Sequence, residues 1–219
     1  MFNNKFFTQN YTTRLERYEY FSRLISVNFT NIKNILNVGG GGERHLSKYL
    51  KEKNIFEIDI SGDNDLEINL DKVDRLPFCN NQFDTVVCLD VLEHLENFHK
   101  ILNEITRVSS RYIFISLPNC SSLFLPILLN KRRFKKKEGY FHKYYGLPID
   151  YPHDRHRWFF TVQDIEYFFL DFAKKNNLIV NFLSHNRKKF FYRFLKFFFG
   201  ERLIKELFLN SIWIILEKN

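Results

Sequence analysis

Four consecutive glycines at residues 39–42 stand out in a chain of 219 residues that contains only eight glycines. The apolar run before them, residues 35–38, predicts a strand, and apolar residues at helical spacing follow on one face at Leu46, Tyr49 and Leu50. Glycines at a strand-to-helix corner allow positive φ angles and let a ligand approach the backbone closely. In open α/β sheets, ligands bind beside such a turn, at the carboxyl ends of the strands. This stretch therefore predicts a pocket for a nucleotide-type cofactor.

Strand and helix patterns alternate along the rest of the chain. The further predicted strands are residues 55–61, 65–70, 83–89, 111–116, 178–184 and 211–218. The predicted helices are residues 11–30, 98–108 and 164–172. For the first helix, packing against the sheet is preferred over covering the cofactor. The alternation predicts an α/β fold with a seven-stranded, mostly parallel sheet, helices on both faces and an antiparallel hairpin formed by the last two strands.

A single domain accounts for a chain of this length, and 45% hydrophobic residues suffice for a core and exclude a disordered chain. Residues 1–33 form an N-terminal helical segment before the first strand. Residues 119–161 predict a cap inserted over the strand ends, because prolines, glycines and aromatic residues interrupt the alternation there. Residues 187–209 predict a basic, aromatic helical insert before the last strand.

The net charge of +8 comes from two local patches, residues 131–137 and 187–205, and the rest of the chain is net acidic. Local patches argue against nucleic acid as a partner and favour the use of a particular face. The first patch predicts a solvated loop or an attraction for an anionic substrate. The insert at residues 187–209 could rest on an anionic bilayer, or its Phe residues could pack on the sheet. An RNA-binding role for the two patches stays an alternative.

The cysteines and the polar N-terminus predict a cytoplasmic protein. Cys79, Cys88 and Cys120 have no C-x-x-C spacing and form neither a metal knuckle nor a disulfide framework. No apolar run approaches the roughly 18 residues of a transmembrane helix, and residues 1–10 are too polar for a secretory signal. Contact with the inner membrane face would come through residues 187–209.

Asp59 ends the second predicted strand, 22 residues after Asn37. An acidic side chain at that place can accept hydrogen bonds from both ribose hydroxyls of an adenosine cofactor. The alternative is an aspartate that only opens a turn or caps a helix. Asp90, Glu93 and His94 follow the fourth strand and should lie on the same rim, since the carboxyl ends of parallel strands meet at one edge.

The ordered set of motifs resembles the class I S-adenosylmethionine-dependent methyltransferases of the small bacterial type. ILNVGGGG resembles the strand and glycine turn of that family, and EIDIS resembles its second-strand acid. The run INLDKVDRLPFCNNQFDTVVCLDVLEHLEN resembles its Leu-Pro-Phe, Phe-Asp and Val-Leu-Glu-His-Leu elements, and SIWIILEK its closing strand. The resemblance covers residues 30–118 closely and the C-terminal hairpin loosely. It implies a Rossmann-like fold, methyltransferase activity and S-adenosylmethionine as the cofactor.

The resemblance also implies the residues that bind the cofactor at the glycine corner. Gly39 and Gly41 would let the methionine moiety and the adenosine approach the backbone, and Asp59 would hold the ribose hydroxyls. Asn37, where the family usually has Asp or Glu, would hydrogen-bond the cofactor's amino group without a charge. Glu43 stands where the family commonly has a third glycine.

Further cofactor residues are implied at the ends of the third and fourth strands. Asn69 and Leu70 would lie beside the adenine, and Leu89 and Asp90 would line the sulfonium side. The rival cofactor is a nicotinamide dinucleotide, whose G-x-G-x-x-G fingerprint would need a glycine where Arg44 stands. The rim after the fourth strand also lacks a Tyr-x-x-x-Lys pair for hydride transfer.

Histidines are the candidate catalytic residues. Methyl transfer depends on positioning the nucleophile, and a hydroxyl acceptor also benefits from a general base, for which histidine is suited near neutral pH. His94 lies on the rim, with a purely structural role as the alternative. His153 and His156 lie in the cap sequence YPHDRHRWFF. The alternative there is a cap that folds by its own hydrogen bonds, anchored by Trp158 and Phe159.

The H-D-R-H sequence predicts no metal site, because no carboxylate or second histidine cluster supports it at ligand spacing. The Asn/Asp-Pro-Pro-Tyr/Phe motif of base amino-methyltransferases is missing after the fourth strand, which argues against methylation of DNA or RNA bases. We therefore expect methyl transfer to a small-molecule or glycan acceptor at oxygen. The alternatives are a lipid or quinone precursor at a membrane surface, or an inactive relative that binds the cofactor. The oligomeric state stays open.

Overall fold

The computed structural model describes residues 13–122, 155–186, 200, 202–207 and 209–219. The strands are β1 (Asn34–Val38), β2 (Asn54–Asp59), β3 (Leu66–Glu67), β4 (Phe83–Leu89), β5 (Ser109–Pro118), β6 (Leu178–Asn186) and β7 (Leu209–Lys218). The helices are α1 (Arg14–Asn28), α2 (His45–Tyr49), α3 (Phe98–Val108) and α4 (Val162–Lys175). The predictions for residues 1–12, for the cap at 123–154 with His153, and for the insert at 187–199 lie outside the described residues.

The seven strands form one sheet in the order β3-β2-β1-β4-β5-β7-β6. All neighbouring pairs are parallel except those of β7, which runs antiparallel to both β5 and β6. The predicted fold class is therefore confirmed, including the C-terminal hairpin at one edge. The strand predicted at residues 65–70 is shorter, because the chain turns at Asn69, whose side chain accepts the Asp71 N–H at 3.0 Å and starts a 3₁₀ turn.

Helix α1 packs against one face of the sheet, as its amphipathic pattern predicts. Its first turn is closed by a capping box between Thr13 and Glu16. The buried face of the helix carries Phe21, whose ring contacts those of Phe114 on β5 and Trp213 on β7 at centroid distances of 5.1 and 6.0 Å. Burial of such large aromatic side chains anchors the helix to the sheet.

Helices α3 and α4 cover the opposite face. The capping box of α4 joins Thr161 to Asp164. Between the layers, β4 is buried on both sides: Val86 belongs to the core under α3 and α4, and Val87 to the core under α1. β4 is thus the central strand of the sheet, and it ends at the edge where the carboxyl ends of the parallel strands meet.

Helix α2 is only five residues long. Leu46 and Leu50 are buried, but the side chain of Tyr49 is 37% exposed. Leu46 and Leu50 therefore face the core, while Tyr49 reaches solvent. The helix ends after little more than one turn, with Leu50 as its C-cap.

The described end of the 187–209 insert docks onto α4. Glu206 accepts hydrogen bonds from the backbone N–H groups of Val162 and Gln163 at 3.0 and 2.9 Å, and Ile204 is 1% exposed. A carboxylate at a helix N-terminus satisfies unpaired N–H groups and complements the helix dipole. The Phe residues of the insert lie outside the described residues, so their packing on the sheet stays a prediction. Within the described residues, no helix has both the length and the apolar character that crossing a bilayer requires.

Candidate active site

The glycine corner between β1 and α2 adopts left-handed backbone angles, with φ of 73° at Gly39, 85° at Gly41 and 65° at Gly42. A Cβ on Gly39 would collide with the side chain of Val91, which follows β4. A Cβ on Gly42 would lie 2.8 Å from the Cα of Gly62 in the loop after β2. The corner therefore requires glycine for its conformation and for the close approach of both neighbouring loops.

Arg44 joins the glycine corner to the loop after β2. Its Nε donates to Asp63 at 2.7 Å and its Nη2 to Asp65 at 3.0 Å, while its backbone is left-handed with φ of 49°. Burial opposes ionisation of Asp65, but the bonds from Arg44 and from the Glu57 N–H outweigh it and hold the pKa of that carboxyl below its usual range. Arg44, which stands where the dinucleotide fingerprint needs a glycine, thus ties the glycine corner to the neighbouring loop.

Asp59 lies at the carboxyl end of β2, against the glycine corner. Its Oδ2 accepts a hydrogen bond from the Gly41 N–H at 2.6 Å, and its Oδ1 accepts one from the Ile60 N–H at 2.6 Å. An ionised carboxylate has about four lone-pair sites, so both oxygens keep capacity for further donors. The position suits the predicted binding of ribose hydroxyls beside the corner.

Asn37 is fully buried under the corner and faces Glu57, its direct partner in the parallel register of β1 and β2. Its Nδ2 donates to Glu57 Oε2 at 3.1 Å, and its Oδ1 lies 3.5 Å from the hydroxyl of Tyr18. Burial raises the pKa of Tyr18 to about 12, offset in part by Arg17 and the hydrogen bond to Asn37, so the hydroxyl stays a donor. Sequence reasoning missed Glu57, although a charged residue inside an apolar strand run was a usable signal.

Asp90 follows β4 with a left-handed backbone, φ of 53°. Its carboxylate pairs with Arg17 of α1 and accepts a hydrogen bond from Ser116 Oγ of β5. Helix α1 therefore packs on the sheet and also reaches the rim, where the Arg14 side chain lies against Gly41. Nothing in the sequence pattern pointed to Arg17.

The other predicted cofactor residues lie near this rim or inside the core beneath it. Leu89, the last residue of β4, is fully buried, and Leu70 is 7% exposed. Asn69 is half-buried and caps the 3₁₀ turn that follows β3. The backbone N–H of Ile68 donates to the Asp59 carbonyl at 2.7 Å, which joins this turn to the end of β2.

His94 and His156 come together although they lie on separate parts of the chain. Their ring centroids are 4.4 Å apart in an edge-to-face arrangement. Glu93 is fully buried beside them, with its Oε1 3.9 Å from His94 Nε2, while His156 is 5% exposed. The structure thus supplies the nearby carboxylate and second histidine that the H-D-R-H sequence lacks on its own.

The chain around His156 is fastened to the segment after β4. The backbone N–H groups of Arg157 and Trp158 donate to the Glu93 carbonyl at 2.8 and 3.2 Å, and the Trp158 indole donates to the Leu95 carbonyl at 2.6 Å. Trp158 is therefore the anchor that the cap alternative predicted. Phe159 is not, because its side chain is 42% exposed. The Arg157 guanidinium binds Glu96 and the His94 carbonyl, which gives it a structural role.

The buried thiols near this rim are poor nucleophiles. Burial, and then the charges of Glu93 and Asp90, raise the pKa of Cys88 far above its usual range. Burial raises the pKa of Cys120 to about 11, with a smaller opposing effect of its backbone hydrogen bond from Phe160. Thiol nucleophiles need a lowered pKa, so neither group is suited to covalent catalysis.

Comparison with known proteins agrees with this geometry. Residues 36–111 match a family model described as a methyltransferase domain. A search of curated proteins with this sequence finds no match. The matched segment runs from β1 through the glycine corner to β5, so it contains the corner, Asp59 and the rim after β4.

Solved structures share the fold across nearly the whole chain. A SAM-dependent methyltransferase from Archaeoglobus fulgidus is 17% identical with a TM-score of 0.58, covering 94% of this chain and 95% of that one. The plantazolicin methyltransferase BpumL, solved with a monoazolic desmethylPZN analog and SAH, is 15% identical with a TM-score of 0.60, covering 94% and 84%. The methyltransferase domain of bacterial CtHen1 is 16% identical with a TM-score of 0.57, covering 93% and 99%.

The family match and the fold confirm the resemblance that the motifs predicted. Residues 36–111 match a methyltransferase domain, and the chain has the fold of class I S-adenosylmethionine-dependent methyltransferases. The donor chemistry at the corner is compatible with this cofactor, because the Asp59 carboxylate lies against the glycine turn with capacity for further hydrogen-bond donors.

Proposed function

We propose that this methyltransferase acts on an oxygen atom of a small-molecule or glycan acceptor. The observation that carries the proposal is the contact between His94 and His156 beside the rim after β4. S-adenosylmethionine supplies a methyl carbon on a sulfonium, which is open to attack by a nucleophile. A hydroxyl group becomes a good nucleophile only if its proton can leave, and imidazole is suited to accept a proton near neutral pH.

The cofactor is proposed to lie along the rim, from the glycine corner to the end of β4. The residues assigned to it are Asn37, Gly39, Gly41, Asp59, Asn69, Leu70, Leu89 and Asp90. The Asp59 oxygens already accept hydrogen bonds from backbone N–H groups, and they would also accept hydrogen bonds from the ribose hydroxyls. Asp90, held between Arg17 and Ser116, would line the methyl-donating side with little freedom to move.

The histidines would act on the acceptor's proton. Attack by the acceptor oxygen forms the new carbon–oxygen bond as the carbon–sulfur bond breaks, and the electron pair of that bond stays on sulfur. The acceptor's proton is then taken up at a ring nitrogen of the His94–His156 pair, and His153 is proposed to assist from the cap. The segment that carries the pair is joined to the cofactor corner, because the Val91 side chain packs against Gly39.

Replacement of either histidine should therefore lower turnover without loss of cofactor binding. His94→Asn and His156→Asn are each expected to reduce kcat by roughly 100- to 10,000-fold, the usual contribution of general acid–base catalysis. The acceptor is first identified by incubating the protein with methyl-labelled cofactor and pooled metabolites or glycans. Calorimetry with S-adenosylmethionine, and with NADH as a negative control, measures cofactor affinity.

Two variants separate the possible causes of a loss. His99→Asn removes an exposed imidazole on α3 and should keep full turnover, whereas Asp59→Ala should weaken cofactor binding itself. Label recovered on nitrogen or carbon would refute an oxygen acceptor. Unchanged turnover in both His94→Asn and His156→Asn would remove the histidines from the chemistry.

A further inference from the structure

We propose that Glu93, His94 and His156 bind one divalent ion of the zinc class. Each of the three residues offers one ligand atom, and these atoms all lie within 4.8 Å of one another. The binding of the ion does not depend on the proposed function. Its role in holding the acceptor oxygen rests on that function and would replace proton uptake by the histidines, because a metal-bound imidazole has no lone pair left to accept the proton.

The spacing of the three side chains is close to that of a metal centre. In a tetrahedral zinc site, bonds of about 2.0–2.1 Å place the ligand atoms roughly 3.4 Å from one another. The upper limit of 4.8 Å therefore leaves little more than an ångström to close, shared among three side chains. Small rotations of the imidazole and carboxylate torsions supply a movement of that size, because their terminal torsions are broad.

The donor set selects the class of metal. Two imidazoles and one carboxylate are the protein ligands of catalytic zinc sites, in which a fourth position is left for water or substrate. Magnesium and calcium prefer oxygen ligands and would gain less here. Glu93 is fully buried, and a cation at this place would compensate its charge. Imidazoles with centroids 4.4 Å apart can both donate a lone pair to one shared ion.

The backbone holds the donors in place independently of their side chains. The segment of Arg157 and Trp158 is bonded to the Glu93 carbonyl, and the Trp158 indole to the Leu95 carbonyl, so the position of His156 relative to Glu93 is fixed. Ligand sites bind tightly when the supporting structure already orients the ligands. The fold therefore holds His156 close to Glu93 and His94, which precede it by about 60 residues in the sequence.

The place of the site suggests what the ion would do. Glu93 and His94 follow Val91, whose side chain packs against Gly39 at the cofactor corner. An ion beside the methyl donor would polarise an acceptor oxygen and lower the pKa of its hydroxyl, as metal ions do for bound water. The acceptor's oxygen would then occupy the fourth position, and its proton would leave to solvent or to a cap residue.

Metal titration of the full chain tests the site without any acceptor. The protein is stripped with a chelator and titrated with Co²⁺, followed by visible absorption, and then with Zn²⁺ as competitor and Mg²⁺ for comparison. We expect one Co²⁺ or Zn²⁺ per chain with roughly micromolar or tighter affinity, and far weaker Mg²⁺ binding. Glu93→Gln and His156→Asn should each weaken Co²⁺ binding by at least about 100-fold, since even outer-shell changes cost 10–100-fold.

His99→Asn is the matched control and should bind Co²⁺ as the wild type does. Far-UV circular dichroism and cofactor binding establish that each variant is folded. Of the three variants, His94→Asn should disturb the fold least, because the His94 side chain is 23% exposed. Absence of Co²⁺ and Zn²⁺ binding at millimolar metal, or binding that all three ligand variants retain, would overturn the site.

The two proposals fail in different ways. If the metal binds but no acceptor oxygen is methylated, the proposed function is wrong and the metal site stands. If His94→Asn and His156→Asn lose turnover while the wild type binds no metal, the metal site is wrong and the histidines act as bases.

Discussion

Asn37 stands where the family usually has Asp or Glu, and the carboxylate of Glu57 lies next to its amide. Glu57 is fully buried and accepts hydrogen bonds from Asn37 Nδ2 at 3.1 Å and from Ser47 Oγ at 2.5 Å. A Cβ on Gly40 would lie 2.7 Å from the Glu57 carboxylate. The uncharged amide on β1 is thus paired with a carboxylate on β2, directly beneath the glycine corner. Charge-assisted hydrogen bonds compensate the burial of such a group.

Because these two residues are paired, exchanging their side chains should restore the stability that each single change loses. Asn37→Asp alone would place two carboxylates together and is expected to lower the free energy of unfolding by about 1–3 kcal/mol at pH 7. Glu57→Gln alone should lower it by a similar amount and weaken cofactor binding. The double variant Asn37→Asp/Glu57→Gln restores one carboxylate and one amide and should recover most of the loss.

Urea unfolding of the four proteins gives the coupling free energy, and calorimetry gives the cofactor affinity. Ser47→Ala serves as a control, because it removes one hydrogen bond to Glu57 but leaves the Asn37 contact intact. Additive losses in the double variant would contradict the pairing.

At the level of elements, the loop after β2 and the glycine corner form one unit. Gly42 and Gly62 touch through their backbones, the Asp63 N–H donates to the Gly42 carbonyl at 3.0 Å, and Arg44 binds Asp63 and Asp65. The short helix α2 adds little stability of its own, since isolated helices of this length are marginal. The corner therefore depends on the neighbouring loop for its shape.

Removal of the Arg44 ion pairs with Asp63 and Asp65 should lower the free energy of unfolding at neutral pH but not at strongly acidic pH. Because the pKa of Asp65 is lowered in the folded state, its contribution is present above the unfolded pKa near 4 and is lost as pH falls through the folded pKa. Arg44→Met is expected to reduce the free energy of unfolding by about 1 kcal/mol at pH 7, and the difference from wild type should shrink as pH falls through the folded pKa of Asp65.

Unfolding curves across pH 2–7 measure this effect. Lys48→Met, which removes an exposed cation from α2, is the control and should change stability little at any pH. A difference between Arg44→Met and the wild type that stayed constant down to pH 2 would contradict the electrostatic origin.

At the scale of the whole molecule, the charge distribution separates a net acidic fold from two basic patches. At the described end of the insert, Arg202 binds Gln163 and Lys205 lies 3.6 Å from Glu166, so these charges are directed toward α4. The neighbouring Leu203 is 46% exposed. Any attraction for an anionic surface must then come chiefly from the preceding basic residues, 187–196.

We predict that the protein sediments with vesicles containing anionic lipid and is released by salt. Each Lys or Arg near such a surface contributes about 1 kcal/mol, so Lys188→Gln/Lys189→Gln should weaken binding by roughly 30-fold. The matched control, Lys135→Gln/Lys136→Gln in the other patch, should have a smaller effect. Absence of sedimentation at low ionic strength would end the assignment of residues 187–209 to a membrane surface.

Features that depend on neighbouring residues could be predicted from the sequence. The strands β1, β2 and β4, helix α3 and the glycine corner all lie where their patterns indicate. Periodicity, glycine conformation and capping act over a few residues, so a short window contains the whole cause. Phe159 was wrongly expected to be an anchor, because burial of a side chain depends on what packs above it.

The sequence by itself determined the class of fold, the corner at residues 39–42 and the acidic residue Asp59 at the end of β2, since local patterns and an ordered set of motifs carry them. Only the tertiary structure brought His156 to Glu93 and His94, and Asn37 to Glu57. Those contacts arise from strand register and from docking of distant segments. Such pairings depend on the total free energy of the folded chain, and no short stretch of residues encodes them.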